Sequence, residues 1–146
     1  MSNPGGDQDL ARDVLRHLIG VVHAMKEHVE SVAEEFDLTL SQLDAMKNLG
    51  GEACSQRELA QRLHFDASNV TDIVDRLEAR GLVTRTVDPS DRRVRRVVLT
   101  AEGEAVHQKI FDRAITEAPI NSLTRAEMKE LRALLGKIAD PVDLPI

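Results

Sequence analysis

Four arginines fall within five positions of this 146-residue chain: Arg92, Arg93, Arg95 and Arg96, in the stretch "VDPSDRRVRRVVLT". A guanidinium stays charged at any physiological pH and offers a planar fork of donors that fits phosphate or carboxylate. The protein around the cluster is acidic, with a formal net charge of −6. Residues 1–60 carry 5 basic and 11 acidic side chains, residues 61–99 carry 8 and 6, and residues 100–146 carry 6 and 8. Only the middle third is basic, and residues 80–96 hold six arginines against two aspartates. This distribution argues against nonspecific polyanion binding by the whole surface and leaves room for one localised anionic contact. The competing reading is a solvated edge strand whose charges discourage aggregation.

The flanking elements must position these arginines. "LVTRTV" (82–87) and "VRRVVLT" (94–100) are strand-like runs on either side of "DPSDRR", which predicts a β-hairpin with a long polar loop. Val97 and Leu99 take the buried positions of the second strand, so the arginines are not core residues. Upstream, "SQRELAQRL" opens with a capping box of Ser55 and Glu58 and predicts a short helix over 55–62, with Leu59, Ala60 and Leu63 inward. After "LHFD", Asp66 is the expected N-cap of a helix over 67–79, and Gly81 is placed to end it in the left-handed conformation. Val70, Ile73, Val74 and Leu77 form its apolar stripe. Ala60 lets the two helices approach and Phe65 can fill the gap between them. The pair therefore predicts a helix-turn-helix, and the hairpin behind it becomes a wing.

With that stripe inward, Ser68, Asp72 and Asp75 point furthest out, flanked by Asn69, Thr71 and Arg76. Hydroxyl and amide groups near the first turn suit phosphate contacts and base-edge hydrogen bonds. The two aspartates repel phosphate unless neutralised. Asp72 is spaced to pair with Arg76, and an aspartate can also accept from cytosine N4. Taken alone, this face also suits a polar solvated surface. In the wing, Asp91 stands two residues before Arg93, placed to hold its guanidinium in a bidentate fork. Arginine at a loop tip suits a narrow minor groove, where the negative potential is enhanced. Arg92, Arg95 and Arg96 would then supply attraction to phosphate.

The remaining chain reads as helix. Ala11, Leu15, Leu18, Val22, Met25, Val29, Val32 and Phe36 recur in steps of four and three, predicting a helix over 8–36 with a seam against another helix. That seam fits either a dimer interface or an intrachain core. Thr39 and Gln42 box a helix over 40–49, which Gly50 and Gly51 stop. Thr100 caps a helix over 101–117, with Val106, Ile110, Phe111, Ala114 and Ile115 as its buried face, ended by Pro119. Thr124 and Glu127 open a last helix with a stripe of Leu131, Leu134, Leu135 and Ile138. Residues 1–7 and the tail from 140 read as irregular.

Residues 58–104, "ELAQRLHFDASNVTDIVDRLEARGLVTRTVDPSDRRVRRVVLTAEGE", resemble the DNA-binding core of the MarR family of winged-helix transcriptional regulators. The resemblance is carried by "ELA..L", then "VT..VDRLE..GLV.R", then "D.R...V.LT..G". It implies a mainly α fold with a small β-hairpin wing and a winged helix-turn-helix core between long N- and C-terminal dimerisation helices. Residues 1–146 would form one domain, with 40–100 as the DNA-binding lobe and 8–36 and 101–139 as dimerisation helices. Leu15, Leu18, Val22, Leu131, Leu134 and Leu135 are then the expected dimer contacts. The implied function is a ligand-responsive repressor acting as a homodimer on a pseudo-palindromic operator in double-stranded DNA. Its small-molecule effector would sit between the dimerisation helices and the lobe. Ala67–Ala79 maps onto the recognition helix, and Asp91 and Arg93 map onto the "D.R" wing motif, with Arg93 as the minor-groove residue. Asp72 departs from the commonest pattern, where a basic residue is frequent, and shifts weight to the wing.

Other functions find less support. The sequence holds no phosphate loop, nucleophile elbow, paired-carboxylate site or cofactor fingerprint, so neither an enzyme nor a cofactor is expected. His17, His23, His28, His64 and His107 form no dense ligand cluster, and no metal is expected. The single Cys54 excludes an intramolecular disulfide, reads as buried and inert, and fits a reducing cytoplasm. No apolar run approaches the roughly 18 residues of a membrane span, and the N-terminus lacks the pattern of a signal peptide. The alternative class is a winged-helix module that binds protein and never touches DNA. The outward aspartates favour that class, and the wing arginines favour DNA.

Overall fold

The computed structural model describes residues 4–141, in the order α1 (Pro4–Glu34), α2 (Leu40–Leu49), β1 (Cys54–Ser55), α3 (Gln56–Leu63), α4 (Ala67–Ala79), β2 (Val83–Val87), β3 (Arg95–Leu99), α5 (Ala101–Thr116) and α6 (Arg125–Leu135). A short 3₁₀ turn, Pro119–Ser122, joins the last two helices. Helix starts follow the expected chemistry. Thr39, Ser55 and Thr124 each close a reciprocal capping box, with Gln42, Glu58 and Glu127 respectively. At α5 the Thr100 hydroxyl accepts the Gly103 N–H at 3.0 Å. Asp66 departs from expectation, because its exposed carboxylate makes no capping bond although its backbone is extended as a cap requires. The N-terminal segment also differs from the irregular reading. Helix α1 already begins at Pro4, a residue suited to a first helical position because no N–H is needed there. Residues 1–3 and 142–146, part of the segments read as irregular, lie outside the described residues.

The sheet has one strand more than the predicted hairpin. β1 pairs antiparallel with β3 (Cys54 opposite Val97, Ser55 opposite Arg96), so the order is β1-β3-β2. Two residues are too short for a periodicity signal, which is why the sequence reading passed over them. Cys54 is 1% exposed, and burial pushes its thiol above the ordinary value despite nearby Arg62, as expected of an inert cysteine.

One apolar core ties the lobe together: Leu43, Met46 and Leu49 of α2, Leu59 and Ala60 of α3, Val70, Val74 and Leu77 of α4, and Val83, Val97 and Leu99 of the sheet. Val32 and Ala33 of α1 and Ile110 of α5 join it, and Phe65 packs against its edge. The long seam of α1 therefore divides. Its C-terminal part, Val29 to Phe36, belongs to the intrachain core, whereas Leu15 and Val22 are 58% and 70% exposed and Leu18 is half-buried. Leu10, Val14, Ile19 and Val21, which the seam did not include, are exposed as well. On α6, Leu131 is half-buried while Leu134 and Leu135 are exposed, and Ile138, expected on the same stripe, lies exposed in the turn beyond the helix end. Ile115, expected on the buried face of α5, is exposed too. Isolated exposed apolar side chains need no explanation, but a row of them along two helices does.

Candidate nucleic-acid interface

Between α3 and α4 the chain reverses at His64, which adopts a left-handed φ of 54° without being glycine. Phe65 N–H then donates to the Ala60 carbonyl at 3.0 Å, closing the turn. Two arginines anchor this unit to the preceding helices. Arg62 donates to the Asn48 carbonyl at 3.1 Å, where α2 ends. Arg80, just past α4, spreads its fork over the Asp37 and Phe36 carbonyls at 2.6 and 2.7 Å. Neither anchor was anticipated from sequence, because a carbonyl left free at a helix end has no residue-type signature.

Ser68, Asn69, Thr71, Asp72, Asp75 and Arg76 all lie on the exposed face of α4, opposite Val70, Ile73, Val74 and Leu77. The Thr71 hydroxyl donates back to the Ala67 carbonyl at 2.9 Å, so its acceptor lone pairs face outward. No Asp72–Arg76 ion pair forms among the described residues. Asp75 is not free either: Arg85 of β2 donates to it through one guanidinium nitrogen and to Glu78 through the other. The Arg85 backbone N–H also donates to Glu78 Oε1 at 3.1 Å. Burial opposes the Arg85 charge, but the hydrogen bonds to Asp75 and Glu78 outweigh it and raise its pKa above the ordinary value. Arg85 was missed, although the signal existed: Asp75 and Glu78, three apart, present carboxylates on one side of α4 just before a strand that carries an arginine.

The wing is organised around Asp88, a nearly buried carboxylate. Its Oδ1 accepts the Ser90 hydroxyl at 2.5 Å, the Ser90 N–H at 2.7 Å and the Asp91 N–H at 3.2 Å, while Oδ2 accepts Arg96 Nε. The Ser90 bonds, then Arg96 and the Asp91 N–H, hold this carboxyl well below the usual range against the opposing effect of desolvation. Arg96 also donates to the Ala53 carbonyl at 2.7 Å. Arg96 is thus turned inward, tying the wing to the α2–α3 connection, whereas the sequence reading gave it to phosphate. Asp91 likewise does a different job from the fork expected of it. Its Oδ1 accepts the Arg93 backbone N–H at 2.9 Å, which shapes the turn and leaves the Arg93 guanidinium free. Arg92, Arg93 and Arg95 are exposed and their side chains have no partner among the described residues.

A cavity of about 500 Å³ opens between the end of α2 and the first half of α5, lined by Lys47, Gly50, Gly51, Leu99, Glu104, His107 and Gln108. His107 Nε2 is buried there without a hydrogen-bond partner, and its ring lies 5.6 Å from that of Phe111. Burial, with a smaller push from Lys47, lowers the His107 pKa. His28 joins α1 to α5 by donating to the Ala114 carbonyl at 3.0 Å. His17 and His23 lie on exposed turns of α1 beside Asp13 and Glu27. Among the described residues no three His, Cys, Asp or Glu side chains gather as a metal site, and no helix is long and apolar enough to cross a membrane.

This arrangement recurs in known proteins. The model of the MarR family matches residues 36–94. The HTH-type transcriptional regulator TtmR of Methylorubrum extorquens is 30% identical over 146 residues, covering 98% of this chain and 73% of that protein. Alignments with three further curated regulators, two of them named transcriptional repressors, span 65%, 57% and 56% of the relatives' own lengths. The crystal structure of YusO from Bacillus subtilis superposes with a TM-score of 0.76 at 27% identity, covering 92% of this chain and 98% of that one. A mutant of MepR from S. aureus bound to an oligodeoxyribonucleotide gives a TM-score of 0.66 at 25% identity, covering 87% and 94%. With a helix-turn-helix, an arginine-bearing wing and this breadth of likeness in sequence and in fold, the chain belongs to the MarR family of winged helix-turn-helix transcriptional regulators.

Proposed function

We propose that two copies of the chain bind one pseudo-palindromic operator in duplex DNA and repress transcription from it. Residues 40–100 serve as the DNA-binding lobe, and the helices over 8–36 and 101–139 serve as the dimerisation region. The observation that carries the reading is the trio Arg92, Arg93 and Arg95, exposed without protein partners next to the outward face of α4. In this arrangement Ser68, Asn69 and Thr71 meet phosphates and base edges in the major groove, and Arg93 enters the adjacent minor groove. The apolar row of Leu10, Leu15, Ile19 and Val22 on α1, with Leu134 and Leu135 on α6 and Ile138 just beyond it, supports assembly of two copies, since no described residue covers it. The cavity at Lys47 and His107 lies where α5 meets the lobe and suits a small polar effector whose binding alters the angle between them.

Selection of bound sequences from a random duplex pool tests the reading. A recovered inverted repeat whose half-sites lie about one helical turn apart supports it. Failure of a folded dimer to enrich any sequence above the starting pool sinks it and favours a module that binds protein through the same exposed face.

A further inference from the structure

The outer side of α4 carries more negative than positive charge, which opposes the approach of phosphate. Asp72, Asp75 and Glu78 project from it, and Arg76 is the one basic residue of that helix. Arg80, just beyond, is committed to the Phe36 and Asp37 carbonyls. From the neighbouring strand, Arg85 reaches across to both Asp75 and Glu78. We infer that Arg85 is a positioning residue for DNA binding, which offsets half of the charge of Asp75 and Glu78 and holds both carboxylates back so that the face of α4 can approach a phosphate-lined groove. The inference rests on the DNA-binding reading above and adds a residue which that reading leaves out.

Two other roles for Arg85 fit the geometry less well. A direct phosphate contact would have to compete with both carboxylates for the fork, and the side chain is only 21% exposed. A purely structural clamp would gain little, because Asp75 and Glu78 are 57% and 38% exposed and ion pairs at such sites contribute weakly. The consequence for an approaching polyanion is larger. Without Arg85, the local charge of the trio changes from −1 to −2 within a Debye length of the phosphates. Asp72 has no ion-pair partner among the described residues, so the effect belongs to Arg85 and its two partners.

The test uses the full chain and fluorescence anisotropy on the duplex recovered by selection, with a scrambled duplex beside it, over a series of salt concentrations. Arg85→Ala is expected to weaken binding about tenfold at low salt, with the loss shrinking as salt rises. Adding Asp75→Asn and Glu78→Gln to that variant should restore affinity to within about threefold of the parent, because no carboxylate is left to neutralise. On the native background, Asp75→Asn with Glu78→Gln frees Arg85. That should tighten binding and steepen the slope of log K against log salt by about 0.9. This double variant keeps the arginine, so it reads the charge effect even where Arg85→Ala fails to fold. Parental affinity in Arg85→Ala, a triple variant as weak as Arg85→Ala, or weaker binding by the double variant would each overturn the inference. A parent chain that binds no duplex overturns the DNA reading itself, a distinct result.

Discussion

Gly103, in the first turn of α5, controls how that helix seats on the winged helix-turn-helix lobe. A Cβ at this position would stand 2.0 Å from the Leu82 carbonyl oxygen, 2.9 Å from its carbon and 3.1 Å from Leu99 Cδ2. The obstacle is backbone, and the same Leu82 oxygen accepts the Thr100 N–H at 3.0 Å while the Thr100 hydroxyl caps the helix. Gly103→Ala must therefore push α5 off the β2 end of the lobe. Three effects compete. Alanine in place of glycine inside a helix is favourable by about 1 kcal/mol. Displacing well-packed backbone costs about 3 kcal/mol, the upper end of overpacking, and the strained Thr100 bond costs about 1 kcal/mol more. The net is a destabilisation of about 3 kcal/mol, which for a chain of this size lowers Tm by roughly 6–12 °C. Gly20 is the internal control: it sits within α1 with nothing within 4 Å of a Cβ, so Gly20→Ala should stabilise by about 0.5–1 kcal/mol. Thermal and urea unfolding followed by circular dichroism measure both. A Gly103→Ala protein that melts at or above the parent temperature refutes the argument, since helix propensity would then have outweighed the clash.

Three further outcomes are expected. Arg93→Ala should reduce the salt slope of DNA binding by about 0.9 without changing the melting temperature; an unaltered slope on the selected duplex removes Arg93 from the phosphate contacts. Val22→Asp should convert the dimer to a folded monomer in light scattering, because it replaces roughly 2 kcal/mol of apolar burial per protomer with a carboxylate to be desolvated. A variant that stays dimeric clears α1 of the interface. The third concerns His107, whose folded pKa is lowered, so the unfolded chain takes up a proton that the folded one resists. Stability is then fully present above the ordinary value of 6.5 and falls as pH drops toward the folded pKa. His107→Phe should flatten the loss that sets in as pH drops below the ordinary 6.5 in urea titrations, and equal slopes for both proteins would argue against it.

The elements were legible because their boundaries are set by local chemistry. Capping residues at Thr39, Ser55, Thr100 and Thr124, and Gly81 at φ 71°, mark helix ends that sequence alone can place. The buried stripe of α4 and the inward Val97 and Leu99 follow from period alone. Partnerships between elements were not legible. Nothing in "DRRVRR" distinguishes Arg96, which turns back to Asp88 and Ala53, from Arg95, which faces solvent. Pairing depends on register, and β1 adds register information only once Ser55 is seen opposite Arg96. The same limit hid the division of the α1 seam. A 3.5-residue period shows that a face is apolar and does not show which neighbour covers it.

The arginines of the middle third resolve the contrast between an acidic chain and a basic cluster. Of the eight between residues 61 and 99, Arg62, Arg80, Arg85 and Arg96 donate into the lobe, three of them to backbone carbonyls. Arg76, Arg92, Arg93 and Arg95 are exposed, with no side-chain partner among the described residues. The first group depends on the planar fork, because Arg80, Arg85 and Arg96 each serve two acceptors at once. Lysine in those positions keeps the charge and loses the geometry. In the proposed complex the second group faces DNA, with Arg93 in the minor groove and the others near phosphate. Counting arginines therefore overstates the electrostatic attraction of the wing and understates its rigidity. One face can serve a polyanion in a protein of net charge −6 because the inward arginines hold fixed the surface from which the outward ones project.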